Sequence, residues 1–183
     1  MKSITKTMGY LVIGLTALAA SAFADRLYVP AVRELPELRS ATSRHFLLAD
    51  GTYSAECTLE PMNYKATDGT WQPIDTNLNP TTKDAFALAN EANTLKTYLP
   101  NTGGGWVRVE AGQGAVSFRP LGVADGTSSV KGNRLDIADV GRNITLSYEA
   151  LPGRLKETLT ISAPISAPSF SYALRLEGLV AHT

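Results

Sequence analysis

Cysteine and histidine are scarce in this chain of 183 residues, which contains one Cys and two His. Because Cys57 has no partner for an internal disulfide, packing alone must hold the fold together. A zinc site needs a cluster of Cys or His ligands, and His45 and His182 lie far apart in the sequence. The sequence therefore indicates no disulfide framework, and we expect no bound metal.

Neither sign of charge is in excess, since 17 Lys and Arg side chains face 17 Asp and Glu side chains. Proteins that bind nucleic acid or an anionic membrane surface carry a basic excess, so neither partner is expected. The sequence also lacks a P-loop, a dinucleotide-binding fingerprint and a nucleophile elbow. Gly103-Gly104-Gly105 is interpreted as a flexible turn before Trp106. We therefore expect no cofactor and no enzymatic activity.

Long apolar runs are confined to the start of the chain. Lys2 and Lys6 precede an apolar stretch from Leu11 to Ala20, and Ala22-Phe23-Ala24 is a small-x-small cleavage motif. The apolar run is shorter than the roughly 20 residues of a transmembrane helix. Residues 1–24 are therefore predicted to be a signal peptide, which predicts a secreted, cell-surface or periplasmic protein without a membrane span after cleavage.

Removal of the signal peptide leaves about 159 residues with 15 basic and 17 acidic side chains. This length is sufficient for one domain with a hydrophobic core. Residues 25–43 are interpreted as a lead-in segment, because Pro30 and Pro36 interrupt any long helix. Residues 44–183 are interpreted as one module.

Short β-type runs separated by turn residues recur through the module. The first predicted hairpin joins Arg44–Leu48 to Thr52–Leu59 through Asp50-Gly51, a dipeptide that suits a tight turn. Alternation in the second strand places Tyr53, Ala55, Cys57 and Leu59 on one face, so we expect Cys57 to be buried.

Further turns divide the rest of the module in the same way. Asp68-Gly69, Gly112-Gln113-Gly114 and Pro152-Gly153 each separate two strand-like runs, and Phe170–Leu176 is the last predicted strand, with its apolar side chains facing inward. Thr81–Asn93 tolerates a helix, but strand and loop are favoured there. The pattern predicts an all-β fold, an antiparallel β-sandwich of roughly ten short strands.

Acidic side chains supply only weak candidates for chemistry. Glu56 and Glu60 are four residues apart, and Asp136 and Asp139 are three apart. Glycosidases use a pair of carboxylates, and a calcium site is an alternative for the two aspartates. Roles in turns and at the surface explain all four acids better, so no catalytic residue is proposed from the sequence.

Aromatic side chains are the more informative candidates. Trp71, Trp106, Tyr64 and Tyr98 are candidates for an exposed platform on which a sugar ring stacks. The alternative, which is favoured for large rings at alternating positions, is that they belong to the core or to strand faces, where aromatic side chains bury much apolar area.

Three passages of the mature chain resemble the N-terminal β module of large bacterial secreted proteins of the RHS/YD-repeat type, which include polymorphic-toxin precursors. The first passage is Arg39–Asp75, which contains the predicted hairpin at Asp50-Gly51 and the segment Asp68-Gly69-Thr70-Trp71. The second is the Asn-rich Ala89–Pro100. The third is Ile144–Leu179, in which a Pro-Gly turn precedes Leu155-Lys156-Glu157.

The resemblance implies a non-catalytic structural module that precedes a downstream repeat domain in a longer polypeptide. It supplies no active-site residues, and the chain contains no Tyr-Asp repeats or toxin domain up to Thr183. The sequence therefore leaves two hypotheses: a structural module, truncated at Thr183 or standing alone, and a free-standing carbohydrate-binding sandwich that recognises a cell-surface glycan.

Overall fold

Turn residues mark many strand boundaries in the computed structural model, which describes residues 29–165 and 169–180. Gly51 adopts φ 82°, in the left-handed region that favours glycine. The Asp50 carboxylate accepts hydrogen bonds from the backbone N–H and the hydroxyl of Thr52, at 2.9 and 2.7 Å. Asp68 and Thr70 repeat this arrangement with the same distances. The two predicted Asp-Gly hairpins are thus confirmed.

The described residues form fifteen β-strands and one short 3-10 helix, without an α-helix. The strands are β1 (Ala31–Glu34), β2 (Ser43–Leu48), β3 (Tyr53–Cys57), β4 (Asn63–Lys65), β5 (Trp71–Pro73), β6 (Asn79–Pro80), β7 (Leu88–Asn90), β8 (Lys96–Leu99), β9 (Val107–Ala111), β10 (Gly114–Pro120), β11 (Thr127–Lys131), β12 (Arg134–Gly141), β13 (Ile144–Leu151), β14 (Arg154–Ile161) and β15 (Tyr172–Glu177). The 3-10 helix spans Pro36–Leu38.

Every strand pair in these sheets is antiparallel. The largest sheet has six strands in the order β15-β10-β9-β8-β7-β6, and a second has four in the order β11-β12-β13-β14. A three-stranded sheet, β1-β2-β3, and the hairpin β4-β5 precede them in the chain. The all-β class and the sandwich-like architecture are therefore confirmed, although the strands outnumber the expected ten.

The hydrophobic core lies between the six-stranded and the four-stranded sheets. Leu99 and Val107 contribute from the first sheet, and Leu135, Ile137 and Leu146 from the second, and all five are fully buried. The side chains of Phe118, Leu155 and Leu159 pack against this cluster. Leu146, Tyr148 and Ala150 alternate along β13 and are buried on its core side. Ser147 between them is also buried, and its hydroxyl donates a hydrogen bond to Asp136.

The lead-in segment contains regular structure. β1 lies within it and pairs with β2, with Ala31 opposite Leu48 and Glu34 opposite Phe46. The segment from Thr81 to Asn93 contains β7 and loop, which confirms the preference for strand over helix. No helix in the described part of the chain has the length and apolar character needed to cross a membrane.

The expected burial of Cys57 is wrong. Every residue of β3 is exposed, and the Cys57 thiol is free and exposed with them. Tyr53 is 70% exposed although it alternates with polar neighbours. Alternation assigns residues to one face of a strand, but it does not say whether another layer covers that face. The three-stranded sheet leaves this face of β3 open.

The inward orientation predicted for the last strand is only half right. Leu174 lies opposite Phe118 and Leu176 opposite Val116, so both point to the core side of the six-stranded sheet. The two leucines are nevertheless 59% and 37% exposed. β15 is the edge strand of its sheet, and the four-stranded sheet does not cover it completely.

Candidate functional site

The four aromatic candidates for a platform do not come together. Tyr98 is 1% exposed, so the core interpretation holds at this position and Tyr98 is not part of an exposed platform. Its ring packs against Phe86 at 5.6 Å between centroids, and the ammonium of Lys83 lies 3.8 Å from its centroid. Its hydroxyl donates a hydrogen bond to Glu91 at 2.8 Å. Tyr98 is a structural residue and presents no face to a ligand.

Tyr64 and Trp71 belong to the same hairpin but point to opposite faces of it. Tyr64 pairs with Gln72, whereas Trp71 pairs with Lys65. Because successive side chains of a strand alternate between faces, the two aromatic rings are separated by the hairpin itself. Tyr64 lines one hollow, of about 420 Å³, and Trp71 lines a different one, of about 490 Å³. They cannot stack one sugar together.

Trp106 lies in the arrangement with the clearest potential for binding. Val107 pairs with Phe118, which brings the preceding Trp106 beside the next residue of β10, Arg119. The guanidinium carbon of Arg119 lies 5.1 Å from the centroid of the indole, and that of Arg175 on β15 lies 4.0 Å away. Both distances are within the range of a cation–π interaction. We call these three residues the Trp106 cluster.

The Trp106 cluster lies in an open groove of about 400 Å³. The loop between β8 and β9 forms one wall, and the outer faces of β9, β10 and β15 form the floor. Gly105 is required at the bend of this loop, because a Cβ there would collide with the ring of Pro100. A Cβ at Gly104 would meet no atom within 4 Å, so this part of the wall faces open space.

Arg108, a third cation of the groove, is fully paired. Its guanidinium donates to the carboxylate of Glu177 at 2.5 and 2.8 Å and to Glu110 at 2.7 Å. The hydrogen bond from Arg108 holds the pKa of Glu177 below its usual range, and the hydrogen bonds to Glu177 and Glu110 raise the pKa of Arg108. The carboxylate of Glu177 is therefore bound by Arg108.

Arg119 and Arg175 form no ion pair of this kind, although the charge of Arg175 contributes to the lowered pKa of Glu177. Within residues 29–165 and 169–180, neither guanidinium has a carboxylate within 4.0 Å. The Nε–H of Arg119 is buried and meets no acceptor among the described residues. The positive charges of Arg119 and Arg175 therefore favour an anion in the groove.

Three of the four acidic candidates are engaged elsewhere in ion pairs. Glu56 pairs with Arg44 at 3.1 Å, and Glu60 pairs with Arg154 at 3.0 Å. The Asp136 carboxylate accepts hydrogen bonds from Arg134 and Ser147, whereas Asp139, with φ 60°, lies in the bulge of β12.

Metal-ligating groups do not cluster in the part of the chain that the structure describes. It contains no group of three or more His, Cys, Asp or Glu side chains placed to hold a metal ion. His45 lies 3.2 Å from the hydroxyl of Ser43, and His182 lies outside the described residues. Among the described residues, His45 therefore belongs to no such group.

Sequence reasoning missed Arg119 and Arg175. In the sequence each is a single arginine at an outward position of an alternating strand, which indicates solvent exposure and nothing more. Their proximity depends on the register of β10 with β15, where Ser117 lies opposite Arg175. Since β15 is separated from β10 by the whole four-stranded sheet in the chain, no local pattern reports this contact.

No family model matches the chain, and no curated protein or solved structure is significantly similar to it. The resemblance to RHS-type modules thus stays a prediction from the sequence.

Proposed function

We propose that this chain is a non-catalytic structural module of a secreted or cell-surface bacterial protein, and that it packs against a segment that follows it in a longer polypeptide. The observation that supports the proposal is the exposed apolar side of β15. The predicted signal peptide of residues 1–24 supports the compartment, and the predicted resemblance to N-terminal RHS-type modules supports the place of the domain in a longer chain.

The apolar surface at β15 is formed by several exposed side chains. It includes six exposed side chains on or beside the last strand, which we call the open edge: Phe170, Tyr172, Leu174, Leu176, Leu179 and Val180. Val180 is 79% exposed and Leu174 is 59% exposed. Contiguous apolar patches on soluble domains mark contact sites or aggregation-prone surfaces.

The position of the open edge favours a segment from the same polypeptide as the occupant. β15 pairs with β10 alone among the described strands, so its second edge has unpaired backbone N–H and C=O groups. Consecutive elements of a chain usually lie side by side. Any segment that follows β15 in a longer polypeptide therefore reaches this edge by the shortest connection.

The intact mass of the native protein tests the longer polypeptide directly. We expect peptides of this chain to be recovered from the culture supernatant or cell envelope of its source in a species much heavier than residues 25–183. A native species that begins at Asp25 and ends at Thr183 would contradict the proposal, because no downstream segment would then exist to cover the open edge.

Substitution at the open edge tests the contact itself. In the longer polypeptide we expect Leu174→Gln with Leu176→Gln to lower the melting temperature and to increase hydrogen exchange in β15. In the isolated chain, the same double substitution should lower the binding of an apolar dye and should cost less stability than it does in the longer polypeptide. Val130→Gln is the matched control, since Val130 is 46% exposed on the edge strand of the other sheet.

Equal stability of the double variant and the Val130→Gln variant in the longer polypeptide would contradict the proposed contact. A concentration-dependent dimer of the isolated chain, abolished by the double substitution, would instead assign the open edge to a second copy. Sedimentation velocity distinguishes these outcomes.

A second function, glycan binding, is favoured by a separate observation. The groove at Trp106 combines an aromatic ring, two unpaired guanidinium groups and polar rim residues. Tyr98 is buried, and Tyr64 and Trp71 face different hollows, so Trp106 is the residue of the predicted set around which a glycan site is proposed.

A further inference from the structure

We propose that the Trp106 groove binds the carboxylate of an acidic sugar, such as a uronic acid residue of a surface polysaccharide, through Arg119 and Arg175. This proposal rests on glycan binding, the second function above, and adds the chemical class of the ligand and the residues that select it. Arg119 and Arg175 belong to neighbouring strands, and the indole of Trp106 holds both guanidinium groups at one end of the groove.

The first step of the argument concerns charge. The lining of the groove includes three arginines, Arg108, Arg119 and Arg175, and two acids, Asp84 and Glu177. Glu177 is bound by Arg108 through two hydrogen bonds. The guanidinium groups of Arg119 and Arg175 lie near the same indole, so their positive charges repel each other. Of the two carboxylates in the lining, Asp84 is the one that Arg108 does not bind. The arrangement therefore favours one further negative charge between Arg119 and Arg175.

The second step concerns the shape of that charge. Guanidinium groups present N–H donors in a planar fork that matches the two oxygens of a carboxylate. The Nε–H of Arg119 is buried and has no acceptor in the described part of the chain. Arg175 is exposed, so its fork is accessible from solvent. A carboxylate placed between the exposed Arg175 and the partly exposed Arg119 offsets one of the two positive charges and can accept hydrogen bonds from both side chains.

The third step concerns the rest of the ligand. Asp84, Asn101 and Thr102 line the groove and offer acceptors and donors of the kind that hydroxyl groups use. Gly104 leaves the wall open on its outer side. The volume of about 400 Å³ lies in the range of small-molecule sites. An acidic sugar combines the one charge with the several hydroxyl groups that this lining requires.

Paired probes of the same backbone test the proposal on the purified chain. Oligogalacturonate carries the carboxylates, and its methyl ester retains the sugar backbone without the charge; mannuronate and guluronate oligomers extend the test to other uronic acids. Isothermal titration measures the affinity. The fluorescence of Trp106 reports binding in a Trp71→Phe variant, in which Trp106 is the remaining tryptophan.

We expect at least one uronate oligomer to bind and the methyl ester to bind at least roughly tenfold more weakly, since a charge-assisted hydrogen bond is lost. Arg119→Gln and Arg175→Gln should each weaken uronate binding by roughly tenfold or more. Arg142→Gln is the matched control, because Arg142 is an exposed arginine in the turn after β12 and should leave the affinity unchanged. Because Arg175 is exposed, we expect Arg175→Gln to retain the fold, which circular dichroism checks.

Three outcomes would overturn the proposal. Equal binding of the uronate and its methyl ester would leave glycan binding intact but remove the acidic sugar as the ligand class. Binding of none of these oligosaccharides would reject both the acidic sugar and the glycan site. Acetate that competes as strongly as the oligomer would show a simple anion site without sugar recognition.

Discussion

Asn93 is a buried polar residue that joins parts of the chain that no strand pairing connects. Its amide nitrogen donates to the carbonyl of Leu151 at 2.9 Å and to Asn90 at 3.0 Å. Its side-chain oxygen accepts from the backbone N–H of Gly153 at 3.0 Å. Asn93 thereby connects the loop between β7 and β8 to the turn between β13 and β14.

Replacement of Asn93 should therefore destabilise the domain strongly. Asn93→Ala leaves the carbonyl of Leu151 and the N–H of Gly153, both at partly buried residues, without these side-chain partners, which costs up to about 1–3 kcal/mol for each group. Chemical denaturation should show a decrease of about 3 kcal/mol in the free energy of unfolding. Asn79→Ala at an exposed position of β6 is the control and should change it by less than about 0.5 kcal/mol. Equal effects of the two substitutions would contradict this role.

Cys57 should react as an exposed thiol. Because β3 is exposed throughout, we expect a thiol reagent to modify Cys57 in the folded protein at about the same rate as in the denatured protein. Cys57→Ser should abolish the reaction and leave the melting temperature almost unchanged. Modification that requires denaturant would contradict the exposed position of β3.

Tyr148 makes the stability of the domain sensitive to alkaline pH. Its hydroxyl is buried without a hydrogen-bond partner of suitable geometry among the described residues. Burial, and then the negative charge of Glu157, raise the pKa of the Tyr148 phenol far above its usual value near 10. Burial and the hydrogen bond to Glu157 raise the pKa of Tyr172 in the same direction.

The direction of the pH effect follows from these pKa values. Above about pH 10 the unfolded chain loses phenolic protons that the folded chain retains, so the free energy of unfolding falls as the pH rises. Urea titrations between pH 8 and 11.5 should show this fall, and Tyr148→Phe should reduce it and increase stability at neutral pH by about 1 kcal/mol. A variant with the same pH dependence as the wild type would refute the assignment.

Among the structural elements, the connection between β10 and β11 depends on one glycine. Gly126 has φ 68°, and a Cβ at this position would collide with the backbone carbonyl of Ala138 on β12. The sequence presents Asp125-Gly126-Thr127 as a turn motif like Asp50-Gly51 and Asp68-Gly69. The structure shows that it adjoins the bulged part of β12, a close approach that the motif alone does not reveal.

Gly126→Ala should lower the free energy of unfolding by about 2 kcal/mol or more, because positive φ and a backbone collision combine. Gly104→Ala is the matched control, since its Cβ meets open space and its φ is not positive. Thermal unfolding followed by circular dichroism compares the two variants. A Gly126→Ala variant as stable as the Gly104→Ala variant would show that the loop between β10 and β11 adjusts to the added methyl group without a loss in the free energy of unfolding.

At the scale of the whole molecule, burial is unevenly distributed. The buried core cluster begins at Leu78, so β1, β2 and β3 contribute no side chain to it. Asn63 connects this first sheet to the hairpin β4-β5, by donating to the carbonyls of Ser40 and Ser43 at 2.7 and 3.1 Å. A sheet with few buried apolar contacts opens more easily than the core of a sandwich.

Hydrogen exchange should resolve this difference. We expect the amides of β2 and β3 to exchange at least about tenfold faster than those of β12 and β13, because local opening of the first sheet exposes little apolar surface. Mass spectrometry of peptic fragments measures both regions in one sample. Equal protection of the two regions would mean that the molecule unfolds as one cooperative unit.

The sequence by itself determined the class of the fold and the positions of most hairpins. Turn residues such as Gly51 and Gly69 act through their own backbone conformation, and alternation as in β13 acts through the geometry of a single strand. Both are local effects, so they can be read without knowledge of the partner strands. The predicted signal peptide belongs to the same group of local patterns and lies outside the described residues.

Tertiary structure alone decided which faces are covered and which distant residues meet. Cys57 and Leu174 alternate as core residues do, yet both are exposed, because coverage depends on where the next layer of the fold ends. Tyr98 is buried for the opposite reason, since Phe86 and Lys83 cover it. The Trp106 cluster also forms only through strand pairing between distant segments, because long-range register is set by packing of the whole sandwich.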